Sequence, residues 1–268
     1  NANAELEVRD QRYGYTALML AAKRGHTACG NLLLDFKADV HAKNREGMSA
    51  LMLAADNDGS EFAQCLIYEG ADLEAKDDVG RTALMLASAA RDVSSVSLLI
   101  RAGVKVDVTD ENGWTALMWA CHMGCDRCSE WLIEAKANIH VRDHESGSTP
   151  LIVAAKFGRI ACIELLLEAN AGIDVCDDDG YTALFWSAHF GRATSTQFLI
   201  DSKATLEARS SRTGKTALMA AIEGDQTACV QLLINAKADF NASGTHDGKT
   251  ALMVAAACGC TAYVLMLI

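Results

Sequence analysis

The chain has 268 residues, 50% apolar and 22% charged, with 24 basic against 35 acidic side chains for a net charge of −11. That composition is ordinary for a folded protein, but the average field repels polyanions and argues against nucleic acid as a partner. No apolar run approaches the roughly 18 residues of a membrane helix and no charged-then-apolar leader opens the sequence, so no membrane role is expected.

One phrase recurs through the whole chain at a fixed period, which is the signature of a repeat architecture. It begins at Gly14-Tyr-Thr-Ala-Leu18 and returns at Gly47, Gly80, Gly113, Gly147, Gly180, Gly214 and Gly248, at spacings of 33, 33, 33, 34, 33, 34 and 34 residues. In the first repeat Gly14 permits a turn, Thr16 is placed to cap a helix, and a short helix is predicted over Ala17 to Arg24 with Leu18, Ala21 and Ala22 buried. Gly25 then stands where a helix C-terminus favours glycine. A bulkier second helix follows around Asn31-Leu-Leu-Leu34 and ends in the linker Lys37-Ala-Asp39.

The same order predicts caps at Ser49, Thr82, Thr115, Thr149, Thr182, Thr216 and Thr250, and second helices around Val96 to Ile100, Leu165 to Leu167 and Leu232 to Ile234. Before each glycine lies a polar stretch such as Lys76-Asp-Asp-Val79, read as an exposed hairpin tip. The extra residue of the 34-residue spacings is placed there, because loop tips tolerate insertion best, as Arg142 to Ser146 suggests beside Lys76 to Val79. With a single proline in the chain, the turns rest on glycine and aspartate.

Hairpin, Gly-x-Thr-Pro-Leu-His, small-residue helix, Gly, Leu-Leu-rich helix and Gly-Ala-Asp, in that order, resemble the ankyrin repeat, and the resemblance covers essentially the whole chain. The departure is consistent. Met19, Met52, Met85, Met118, Met219 and Met253 replace the family's histidine, Ile152 and Phe185 take the other two such places, and only Pro150 keeps the proline. This removes the histidine's hydrogen bonds but should spare the fold, because Ala favours helix and Met packs readily. The Thr-Ala-Leu-Met wording is also similar to ankyrin arrays of some single-celled eukaryotes, found alone or attached to protein-kinase-like domains.

The resemblance implies an all-α solenoid of stacked helix-turn-helix repeats with hairpin fingers, a single domain over residues 1–268. Helix layers roughly 8–10 Å apart would give a curved rod about 80 Å long. It implies a protein-interaction scaffold or adaptor in the cytoplasm or nucleus, binding a protein or peptide on its concave surface. The alternative is a non-catalytic targeting or regulatory segment of a larger enzyme such as a kinase-like protein.

In the family the concave surface is made by the hairpin tips and the exposed side of the first helices. The positions that match here nominate Tyr15, Arg45, Arg81, Trp114, His122, Met123, Phe157, Tyr181, His189, Phe190 and Lys215 as partner-binding, and His246 and Asp247 also fall on such positions. Trp114, Met123, Phe157, Tyr181 and Phe190, with both histidines, would form an apolar strip where a solvated groove should be polar. Basic residues gather toward the ends, where rim charges select partners more than they add affinity. Trp119 and Trp186 occupy a position expected in the core.

Cys121-His122-x2-Cys125-x2-Cys128 has a zinc-like spacing, yet Cys128 shares its repeat position with Cys29, Cys162 and Cys229, and Cys121 stands where Ala is usual. The core reading is preferred, and likewise for Cys258-Gly-Cys260. All ten cysteines are expected to be reduced and metal-free. No nucleophile–base pair or phosphate-cradling loop emerges, so neither enzyme activity nor a cofactor is expected. The last helix, Tyr263-Val-Leu-Met-Leu-Ile268, is more apolar than an end cap should be, with Leu265 in the place of Gln231. Two expectations follow: the chain is a piece of a longer protein, or its C-terminal helix mediates end-to-end self-association.

Overall fold

The computed structural model describes residues 5–244 and 248–268, so His246 and Asp247 lie outside the described residues. Within these the chain forms sixteen helices, and the only β features are two isolated bridges, Lys43 with Ser49 and Cys176 with Thr182. By contact pattern the chain divides into two compact units, residues 1–138 and 139–268.

The first unit holds α1 (Ala17–Lys23), α2 (Thr27–Asp35), α3 (Ala50–Asp56), α4 (Ser60–Tyr68), α5 (Ala83–Ala90), α6 (Val93–Arg101), α7 (Ala116–Met123) and α8 (Asp126–Glu134). The second holds α9 (Pro150–Phe157), α10 (Ile160–Glu168), α11 (Ala183–His189), α12 (Ala193–Asp201), α13 (Ala217–Glu223), α14 (Thr227–Asn235), α15 (Ala251–Ala257) and α16 (Thr261–Leu267). Within each unit the first helices of successive repeats stack on one another, and the second helices form a parallel layer behind them.

The local reasons are legible in the residues. Thr16, Ser49, Thr82, Thr115, Thr149, Thr182 and Thr250 each accept a hydrogen bond from the backbone N–H three residues on, satisfying one donor that the helix start leaves open. Thr216 makes no such bond, and nothing in the structure explains the difference. The substituted histidine place is core: Met19, Met52, Met85, Met118, Ile152, Phe185 and Met219 are all buried. The exception is Met253, 55% exposed, which shares the outer face of the eighth repeat with Leu252, Leu265, Met266 and Ile268.

Successive hairpins are tied by backbone hydrogen bonds, Arg45 N to Tyr13 O, Asp78 N to Glu46 O and Glu111 N to Val79 O in the first unit, Asp178 N to Ser146 O and Arg212 N to Asp179 O in the second. This crossing is what the recurring glycine serves. At Gly180 φ is +83°, and a Cβ would collide with the backbone nitrogen of Ser211 in the next hairpin. The extra residue of the longer repeats sits in the tip, as expected. Gly113 N–H bonds the carbonyl three residues back, at Asp110, whereas Gly214 bonds the carbonyl four back, at Ser210.

The cysteines depart from expectation at one pair. Cys125 precedes α8 and its sulfur accepts the Cys128 amide at 3.3 Å, and the structure joins the two side chains as a disulfide rather than leaving all ten cysteines reduced. The cause is the capping geometry, which brings Cα atoms three residues apart to 5.2 Å; Asp92 caps Ser95 of α6 in the same register. The other eight cysteines form no disulfide, and among the described residues no three of His, Cys, Asp and Glu come together in a way that could hold a metal ion.

Two measurements check this account. Gly103→Ala, where φ is +86° but the space is open, should lower stability by about 1 kcal/mol from the left-handed backbone alone. Gly180→Ala should cost a further ~1–3 kcal/mol because the next hairpin must move, and urea midpoints that rank the two alike would remove the stacking explanation. Alkylation of the denatured protein without reductant should modify eight cysteines, and ten after reduction; ten modified sites before reduction would show the pair to be open.

Candidate functional site

The site begins with a carboxylate that the sequence reading took for an exposed tip residue. Asp77, Asp110, Asp143 and Asp177 are buried, each just before its repeat's glycine, and Asn44 stands in the same place in the second repeat. In Asp110 one carboxylate oxygen accepts the Asn112 and Trp114 amides at 3.0 and 2.9 Å, closing the hairpin. Asp177 does the same for Asp179 and Tyr181 at 3.1 and 2.8 Å. In Asp10 the amides of Tyr13, Tyr15 and Gly14 hold the carboxyl below its ordinary range, against a smaller opposing effect of desolvation.

The second oxygen is then available for a side chain. Asp110 Oδ2 accepts Trp119 Nε1–H at 3.1 Å, and Asp177 Oδ2 accepts Trp186 Nε1–H at 2.7 Å. In the third repeat Asp77 Oδ2 takes the Arg81 Nε–H at 2.8 Å instead. Trp119 and Trp186 are therefore partly exposed rather than core, which corrects the sequence expectation. Of their equivalents, Leu53, Leu86, Val153, Ala220 and Val254 are buried, while Leu20 of the first repeat is 41% exposed. An indole whose N–H is fastened at the tip must lie along the surface instead of sinking into the stack.

Each indole organises a ring cluster. In the first unit Trp114 packs on Trp119 at 4.9 Å between centroids, with His122 edge-on to both at 5.5 and 6.1 Å. In the second, Tyr181 stacks on Phe185 at 4.1 Å and meets Trp186 edge-on at 5.3 Å. Phe190 lies parallel to Trp186 at 5.6 Å, and His189 stands edge-on between them. Such tilted and offset pairings are the favoured ones for aromatic rings. The Lys156 ammonium sits 4.3 Å over the Trp186 ring, a cation–π contact.

The other nominated residues divide. Tyr15 is only 5% exposed. Its hydroxyl accepts from Lys23 Nζ at 2.9 Å, and that bond raises the Lys23 pKa, so Tyr15 completes the packing of the first repeat. Arg45 is exposed beside the hairpin tip, while Lys215 is paired with Glu223 at 2.8 Å and Arg212 with Asp179 at 2.9 Å. Met123 and Phe157 end α7 and α9, both partly exposed. Of the predicted strip, the structure thus gathers Trp114 with His122 in one unit and Tyr181 with His189 and Phe190 in the other.

Trp119, Trp186, Phe185 and the two aspartates were not foreseen as part of this surface, whereas Lys156 falls on one of the family's surface positions. A signal was present, because Gly113-Trp-Thr-Ala-Leu-Met-Trp-Ala-Cys-His-Met123 and Gly180-Tyr-Thr-Ala-Leu-Phe-Trp-Ser-Ala-His-Phe190 carry the same ring residues in register. In the first unit an open groove of about 650 Å³ lies between α2 and α4, lined by Asp35, Glu61, Tyr68 and Glu69 among others.

Comparisons with known proteins agree with this architecture. The family model described as ankyrin repeats (3 copies) matches residues 2–77, 51–143, 139–210 and 203–268. Among solved structures, the chain is similar to the crystal structure of the ankyrin repeat domain of Bcl-3, described as a unique member of the IkappaB protein family. The TM-score is 0.69 at 25% identity, over 82% of this chain and 99% of that one. Comparison with curated protein sequences finds no significant match. With the family pattern matched from residue 2 to residue 268 and the helix pairs built as the repeat requires, the chain belongs to the ankyrin-repeat family.

Proposed function

We propose that this chain is a non-catalytic protein-interaction module that docks a protein or peptide on the tip side of its first helices, the concave face of the family, with the Trp119 cluster as the anchor of the first unit and the Trp186 cluster as that of the second. The observation that carries the reading is that a large aromatic residue, clamped by a buried carboxylate, replaces Leu, Val or Ala at one position in two repeats and leaves ring surface partly exposed. Fully buried aliphatic residues would stack the repeats as well, so the exposed rings serve something outside the stack. Trp and Tyr dominate binding hot spots because they offer large, rigid area with a polar handle. Arg45 and Arg81 at the hairpins of the first unit, and Lys215 at a hairpin of the second, are read as charges that select among partners. Stacked repeats bury their interior against each other, which favours an extended binding surface over a catalytic cleft.

A second reading concerns the eighth repeat. Met253 and Leu265 are 55% and 77% exposed, where Met219 is buried by the following repeat. That apolar face favours association with a second copy. Leu265→Gln, which installs the residue found at Gln231, should shift light-scattering mass toward the monomer, and an unchanged monomer in both forms would dismiss the idea.

For the main reading, captured partners from a cell extract should be compared across wild type, Trp119→Ala, Trp186→Ala and the double variant. Each single change should weaken a true partner by about 2 kcal/mol, roughly 30-fold. Tyr15→Phe should leave capture unaltered. Equal capture by the double variant, with its helix content intact, would sink the assignment.

A further inference from the structure

We propose that the Trp186 platform of the second unit takes an acidic, apolar peptide segment, with an apolar side chain on the rings and a neighbouring Asp or Glu on Lys156 and Arg192. The inference rests on the reading of this face as the partner site and specifies the partner's chemistry.

Lys156, in the last turn of α9, lies over Trp186. Arg192, just before α12, is exposed, and its Nε–H donates to the Lys156 carbonyl at 3.0 Å. Its alkyl chain runs beside Gly158, where an added Cβ would stand 3.1 Å from the Arg192 Cδ. Two cations therefore border the parallel rings of Trp186 and Phe190, the latter 43% exposed.

What separates these cations from their neighbours is that neither forms an ion pair among the described residues, whereas the nearby acids are engaged. Asp177 is taken by the indole and two amides, Asp179 by Arg212, Glu223 by Lys215, and Asp178 lies 3.6 Å from Arg142. The patch is thus positive and apolar on a chain whose net charge is −11. An occupant complementary to it brings negative charge and apolar surface together. A guanidinium favours a carboxylate, which it meets with two parallel donors, and an ammonium over a ring can accept an added carboxylate without leaving that ring. The open stack suits a peptide segment more than a small acid, which binds best in an enclosed cavity.

The test is selection from a displayed library of random peptides on the 268-residue chain, in wild type, Trp186→Ala and the Lys156→Glu, Arg192→Glu pair. Wild type should select peptides enriched in Asp or Glu next to Leu, Phe, Tyr or Trp. The charge-reversed pair should lose the acidic enrichment while keeping the apolar one, and should bind a selected acidic peptide about tenfold or more weakly. Selection without acidic bias, an acidic bias that survives charge reversal, or no selection at all would overturn the inference. Unchanged selection by Trp186→Ala would instead remove the platform itself, which separates failure of this inference from failure of the broader reading. Circular dichroism of each variant verifies that the fold is retained.

Discussion

A buried carboxylate with two separate duties underlies the geometry of this protein. One oxygen gathers backbone amides and closes a hairpin; the other is left over, at the edge of the first helix, for whatever side chain the repeat presents there. The arrangement is stable because the amides are obligatory donors that a buried tip must satisfy anyway, and because an ionised acceptor makes the stronger kind of hydrogen bond. The closed hairpin in turn brings its backbone under the next, and that crossing is possible only where a glycine leaves room. Stacking and display are consequences of the same group.

The sequence was informative wherever a rule acts within a few residues. Threonine caps, small alanines on the first helix and the methionine substitution all follow from local sterics and hydrogen bonding, and the structure places them accordingly, from Thr16 and Met19 to Met219. The position of the tip insertion was also readable, since it changes only which carbonyl the glycine amide reaches.

What was not readable depended on partners distant in the repeat. Trp119 and Trp186 stand at a position that is core in most other repeats, and a bond to an aspartate nine residues earlier holds each indole at the surface. Tyr15 erred in the opposite direction, because Lys23 eight residues on covers it. The hairpin aspartates looked solvated since polar residues surround them, yet their own amide bonds take them inside. Cys128 was judged by its repeat equivalents, whereas the helix start brings it to Cys125 without regard to the repeat. In each case a side chain's fate was set by one specific contact and not by pattern.

The spare carboxylate oxygen also makes the tips convertible. The third repeat has the buried Asp77 and holds Arg81 with it, while Leu86 fills the place that Trp119 and Trp186 take in their repeats. The difference between a repeat that shows a cation and one that shows a ring cluster therefore lies in very few side chains, all at the surface end of a helix whose buried residues need not change. Repeats seven and eight lack this option, because Ser210 and Gly244 stand where the acid would be. The chemistry displayed along such an array can diverge repeat by repeat while the stack beneath it is inherited intact, and the acid marks in advance which repeats are free to do so.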